Sequence, residues 1–171
     1  MVAPELLGKL LVAGEGSDLV SGRIVETEAY TSDDPASHSF TGETPRNRVM
    51  FGRPGCLYVY RSYGIHWCAN AVTGAPGDGQ AVLLRAVVIV DGLAVVRRRR
   101  GNRSVRDLTN GPGKLCQSFA ISGTDDGLDV TTETSAIRIV DDGTSPPERP
   151  TVGPRIGISK AVEVPWRFRV P

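Results

Sequence analysis

With 171 residues, 40% of them hydrophobic and 23% charged, the chain fits one globular domain that buries roughly two thirds of its unfolded surface in a single core. A net charge of +1 gives no global field for a polyanion, although the cations are lopsided: 17 Arg against three Lys (Lys9, Lys114, Lys160), which suits either bidentate anion binding or a GC-rich coding sequence. No apolar run reaches the roughly 18 residues of a membrane span. The start, MVAPELLGKLLVAGEG, lacks a basic n-region and a small-residue cleavage site, which argues against secretion. Cys56, Cys68 and Cys116 form no C-x-x-C and read as reduced thiols of a cytoplasmic protein; with only two histidines they make a metal site and zinc-deaminase chemistry untenable.

Residues 3–13 place leucines at 6, 7, 10 and 11, the spacing of a short helix running into a strand. Residues 21–30, SGRIVETEAY, alternate as a strand, and 31–48, punctuated by Pro35 and Pro45, form a loop. Residues 57–61 and 65–72 predict two strands joined at Ser62, Tyr63 and Gly64, a hairpin in which glycine supplies the special backbone angle. Residues 80–90, QAVLLRAVVIV, read as a long strand, apolar on both faces except for Arg85. Residues 92–103 begin helical and end in an arginine run, Arg97 to Arg100; 111–120 open a helix from a Gly/Pro loop. A strand at 136–140, a Pro-rich loop at 141–154 and a strand-like region at 155–170 complete the chain. Strands dominate without a regular βαβ series, which predicts an α+β domain on one curved, mixed sheet, spanning 1–171.

Arg85 amid VLLRAVV is the first candidate for chemistry, because a buried guanidinium requires a carboxylate or a bound anion. Glu26 and Glu28, two apart on a strand, share a face and are its candidate partners; Glu28 lies where the strand gives way to a loop and a cleft can open. A carboxylate held by an arginine can activate water as a general base. His38, in isolation, reads as a solvated or locally bonded loop residue. Gly111–Lys114 could cradle a phosphate on a helix N-terminus but lacks Walker spacing. Tyr58 and Tyr60 suit an aromatic core, whereas Tyr63 at a hairpin tip does not. An exposed ring there suits stacking on bases or wedging between base pairs.

Six blocks then carry a resemblance: APELLGKLLV (3–12), GRIVETEAY (22–30), TPRNRVMF (44–51), GCLYVYRSYGIHWCAN (55–70), AVLLRA (81–86) and GPGKLCQ (111–117). In this order they resemble the alkyladenine, or 3-methyladenine, DNA glycosylase family, from about residue 3 to Val170. The resemblance implies a single compact domain on a curved, mixed, mostly antiparallel sheet with a few flanking helices and a protruding β-hairpin. It implies hydrolysis of the N-glycosidic bond of a flipped, alkylated or deaminated purine in double-stranded DNA, leaving an abasic site. Glu28 then matches the base and Arg85 the arginine that holds the water. Tyr30, His38 and Tyr60 match the walls of the base pocket, Asn70 its floor, and Leu83 and Ile156 further lining, Ile156 through its backbone carbonyl. Tyr63 matches the intercalating wedge, while Lys114, Arg46 and Arg48 match phosphate contacts. Arg61, Ser62, His66 and Ala69, around the wedge, depart from the pattern. No lysine stands among the catalytic and base-pocket residues of this set, which predicts hydrolysis without strand cleavage. The reading needs no cofactor, no membrane and only a monomer. Its rivals are a non-catalytic damaged-DNA binder and a hydrolase of free nucleosides.

Overall fold

All 171 residues are described by the computed structural model. The spine is β2 (Val20–Tyr30), whose length lets it be paired on both sides. One side pairs with β5 (Gln80–Asp91) from Ser21 to Tyr30; the other pairs first with β1 (Leu10–Ala13) and then, from Glu26 to Glu28, with β8 (Arg167–Arg169). Beyond β5 come β4 (His66–Thr73) and β3 (Leu57–Ser62), giving the order β3-β4-β5-β2-β1-β6 with β6 at Ile137–Val140. β7 (Thr151–Gly153) pairs with β8. The result is a curved half-barrel sheet with four helices, the α+β class read from the sequence. Every pairing is antiparallel, so the parallel component that a mixed sheet implies is missing.

One face of the sheet is the main core. Leu57, Val59, Ala69, Val82, Leu84 and Val87 point to this face and meet Leu108, Leu115 and Phe119 of the helical layer. That layer consists of α2 (Leu93–Arg100), α3 (Val105–Thr109) and α4 (Pro112–Phe119), while α1 (Val2–Glu5) packs near β2. Because side chains alternate along a strand, the intervening residues lie on the opposite face. There the register lines up Tyr58, Asn70, Leu83 and Glu28 in one row across four strands. The polar residues of the sequence thus come together because they share a parity, not because they are close along the chain.

Three local expectations change. The arginine run ends its helix at Arg100, where Gly101 takes φ +80°, three residues earlier than 103. The Pro-rich stretch 141–154 contains β7, and α3 was not foreseen. Of 155–170 only Arg167–Arg169 is strand, since Gly157 at φ +76° and Pro165, which has no N–H for a ladder, interrupt the rest.

Candidate functional site

The row opens into a cleft of ≈ 630 Å³ between the sheet, the 31–48 loop and the 155–160 segment. Tyr30, His38, Arg46, Tyr60, Tyr63, Asn70, Leu83, Arg85 and Ile156 all line it, nine of the twelve positions named from sequence. Glu28 lies directly behind the wall, with no accessible surface. Arg48 does not line the cleft; it sits in a 3-10 turn at Arg48–Phe51, and its Nε is 3.4 Å from the exposed Glu43 carboxylate. Lys114 is not in the lining either, although Pro112 two residues before it is, and the Lys114 ammonium donates to Asn110 Oδ1 at 2.7 Å.

A fully buried carboxylate is sustained only by donors. Glu28 Oε1 accepts from the Ile156 amide at 2.8 Å and lies 3.3 Å from Arg85 Nη1, and Oε2 accepts from the Tyr30 hydroxyl at 2.9 Å. All three groups facing it are donors, so both carboxylate oxygens are matched. The Ile156 contact comes through its N–H. Arg85 is 8% exposed, and its Nε donates to Glu26 Oε1 at 2.8 Å, so both carboxylates that shared a strand face in the sequence do reach it. Burial, followed by the charge of Glu28 and its hydrogen bond, pushes the Tyr30 phenol up, and it remains a donor across the working pH range.

The aromatic walls are built by strand parity. Tyr58 and Tyr60 stack with centroids 5.5 Å apart, and His38 meets Tyr60 edge-on at 4.4 Å. Tyr58 is buried, as a core residue should be, but its hydroxyl is 2.9 Å from His38 Nδ1, a positioning contact that sequence reasoning did not assign. Burial pushes the Tyr58 phenol up to about 12 and the Tyr60 phenol higher still. Burial, with the Arg46 charge adding to it, holds the His38 imidazole below its ordinary value, so the ring is neutral at pH 7; with Nδ1 engaged, Nε2 is the nitrogen free for a ligand. At the floor, Asn70 Nδ2 donates to the Tyr58 carbonyl at 3.1 Å, which fixes the amide and leaves its Oδ1 without a partner inside the protein.

The outer wall depends on contacts no local pattern announces. Arg155 is buried, forms a two-point ion pair with Asp34 and donates to the Ala29 carbonyl at 3.0 Å. Its guanidinium lies 4.7 Å from the Tyr30 ring centroid and 5.4 Å from that of Trp166. Asp34 and Arg155 therefore lock the His38 loop to the segment that delivers Ile156. The same segment brings Lys160 to the cleft. That overturns the premise, drawn from sequence, that no lysine stands among the site residues; the only signal for it was its position four residues after Ile156. Arg46, Arg85 and Lys160 are the charged residues of the lining, which exposes no carboxylate.

The hairpin rim carries Tyr63, 87% exposed. Tyr63 and Gly64 take φ +51° and +68°, and the Ile65 N–H donates to the Ser62 carbonyl at 3.0 Å, which is a primed turn. Glycine suits such a position; tyrosine there is strained by about 1–3 kcal/mol. The turn is supported from below by α4, whose Gly113 lies so close to His66 that a Cβ would come within 2.9 Å of that side chain. An exposed, strained aromatic makes no sense for the free protein.

The whole chain, 1–171, matches the model of the methylpurine-DNA glycosylase family, and the chain belongs to that family. Among its relatives are proteins named "Putative 3-methyladenine DNA glycosylase": one from Rhodopseudomonas palustris is 52% identical over 168 residues, covering 98% of this chain and 80% of the relative. One from Burkholderia lata is 48% identical over 172 residues (99% and 82%), and one from Nitrosospira multiformis is 50% identical over 171 residues (98% and 82%).

Two outcomes test this geometry. In Tyr63→Gly the backbone strain is relieved, so the thermal midpoint stays level or rises while excision from duplex DNA falls tenfold or more; a clear loss of stability would show that Tyr63 serves the fold. By NMR, His38 titrates with a midpoint below 6.5. Because its folded value is the lower one, it detracts from stability as pH falls below 6.5 and leaves stability intact above; a midpoint above 6.5 would contradict its burial as a neutral ring.

Proposed function

We propose that this protein is a monofunctional DNA glycosylase of base excision repair, acting on alkylated or deaminated purines extruded from duplex DNA. The observation that carries the reading is the coexistence of a buried carboxylate held by Arg85 and Ile156 with an aromatic cleft and an exposed wedge at its rim. A binding protein has no use for the first, and an enzyme acting on free nucleosides has no use for the last. Membership of the methylpurine-DNA glycosylase family and the printed name of its relatives support the same substrate class.

In this mechanism the target nucleotide leaves the stack at a cost of a few kcal/mol, least at a damaged pair. Tyr63 takes its place, each aromatic stacking contact contributing about 1–3 kcal/mol. The purine lies against Tyr30 and Tyr60, whose electron-rich faces favour a cationic base by roughly 0.5–2 kcal/mol. His38 Nε2 and Asn70 Oδ1 supply hydrogen bonds to its edge. Water enters where Tyr30, Arg85 and Ile156 border the carboxylate, and Glu28 takes its proton as the oxygen attacks C1′. The C1′–N bond breaks with its electron pair going to the purine: a cationic alkylpurine departs neutral and needs no acid, whereas a neutral deaminated purine departs as its anion and takes a proton from solvent. Glu28 and its charge also stabilise the oxocarbenium-like sugar. Arg46, Lys114 and Lys160 contact flanking phosphates, a term that weakens with salt.

The test is a product assay on methylated duplex DNA in chelator, with free base, abasic site and strand break scored separately. The protein is expected to release base, leave an intact abasic strand and, despite Lys160, give no complex trapped by borohydride. Glu28→Gln is expected to abolish release while keeping lesion-DNA affinity within about tenfold, about 1.4 kcal/mol. Full release by that variant would refute Glu28 as the base, and DNA binding without release by the native protein would favour the non-catalytic reading.

A further inference from the structure

Glu26 is a second carboxylate near the reacting groups, and the mechanism above leaves it without a role. Its Oε1 accepts from Arg85 Nε at 2.8 Å and from Arg167 Nε at 2.7 Å, so one oxygen is shared by two guanidinium groups from two different strands. The strand register explains why Arg85 is free to reach it. Thr27 pairs with Leu84 and Glu26 with Ala86, so the ladder slips and Arg85 has no partner residue on β2. Such a slip re-aims a side chain. Arg85 then meets Glu28 through Nη1 alone, at 3.3 Å, while it also lines the cleft. Burial pushes the Glu26 carboxyl up, but its bonds to Arg167 and Arg85 outweigh that and hold it below its usual range.

We propose that Glu26, backed by Arg167, is a positioning residue: it anchors Arg85 through Nε and thereby prevents Arg85 from clamping both oxygens of Glu28. An arginine facing a lone carboxylate closes into a two-point fork, which would bring a charged donor onto Glu28 Oε2 as well, where the Tyr30 hydroxyl donates. With Glu26 in place two cations face two anions, and Arg85 is left with Nη hydrogens directed at the cleft. With Glu26 neutralised, two guanidinium groups compete for Glu28 alone. The inference rests on Glu28 being the base.

The experiment is single-turnover base release from a lesion duplex by Glu26→Gln, alone and combined with Arg85→Gln, with the thermal midpoint recorded for each. Glu26→Gln is expected to lower the rate tenfold or more while lesion-duplex affinity stays within threefold, and Glu26→Asp, which keeps the charge, to recover part of the loss. In the Arg85→Gln background, Glu26→Gln is expected to change the rate less than twofold, because its effect passes through Arg85. A folded Glu26→Gln protein at the native rate overturns the proposal, as does the same fold-loss in both backgrounds, the mark of a merely structural ion pair. Loss of native activity, or an active Glu28→Gln, would instead strike at the glycosylase reading. The anchor is then read without catalysis: the Arg85 Nε–H signal is expected to exchange with water faster in Glu26→Gln, and unchanged exchange overturns it.

Discussion

The site depends on one constraint: a carboxylate with no accessible surface must be matched by donors. Glu28 finds them in three places, the neighbouring Tyr30 on β2, Arg85 on β5 and the amide of Ile156 near the end of the chain. Those bonds fix the relative positions of the sheet and the last segment of the chain. The segment can approach only because Arg155 is itself neutralised by Asp34, and Asp34 in turn pulls in the loop that carries His38. Breaking a buried pair of this kind typically costs 3–5 kcal/mol, because it strands a charge. The cleft walls therefore follow from charge compensation, and shape follows from the same contacts.

Much of this was legible in the sequence wherever the signal was periodic. Alternation in SGRIVETEAY, LYVYR and QAVLLRAVV gave the strands within a residue or two, and the i, i+2 spacing put Glu26 and Glu28 on one face as partners of Arg85. Gly64 marked the hairpin turn, and Tyr63 stood out because a tip position is poor core. The rest was hidden because it depends on pairs far apart in the chain. Arg155 and Asp34 are 121 residues apart, Ile156 and Glu28 are 128, and Arg167 and Glu26 are 141. No spacing rule reaches that far. Tyr58 was read as core and is buried, yet its hydroxyl orients His38, since one residue can fill a core with its ring and direct a neighbour with its tip.

The molecule concedes stability at two places and does so for related reasons. At the hairpin tip Tyr63 holds a left-handed backbone and leaves its ring in solvent, with Ile65 also exposed beside it. Beneath it, a salt-bridge cluster of Glu26, Glu28, Arg85 and Arg167 occupies space that apolar side chains would fill at no electrostatic cost. Strained backbone and buried charge are characteristic of sites under functional demand, and here they lie along the same cleft. The tip offers an exposed ring, and the cleft beside it is bordered by Arg85 with the Glu28 carboxylate directly behind.

The central claim is that the cleft over Glu28 receives a base taken out of the duplex. A crystal structure of the Glu28→Gln protein bound to a duplex with one alkylated or deaminated purine tests it most directly. The account predicts the damaged nucleotide outside the helix, its base between Tyr30 and Tyr60 within reach of His38, and the Tyr63 ring in the vacated space. A damaged base still stacked in the duplex, or lodged anywhere but this cleft, would contradict it.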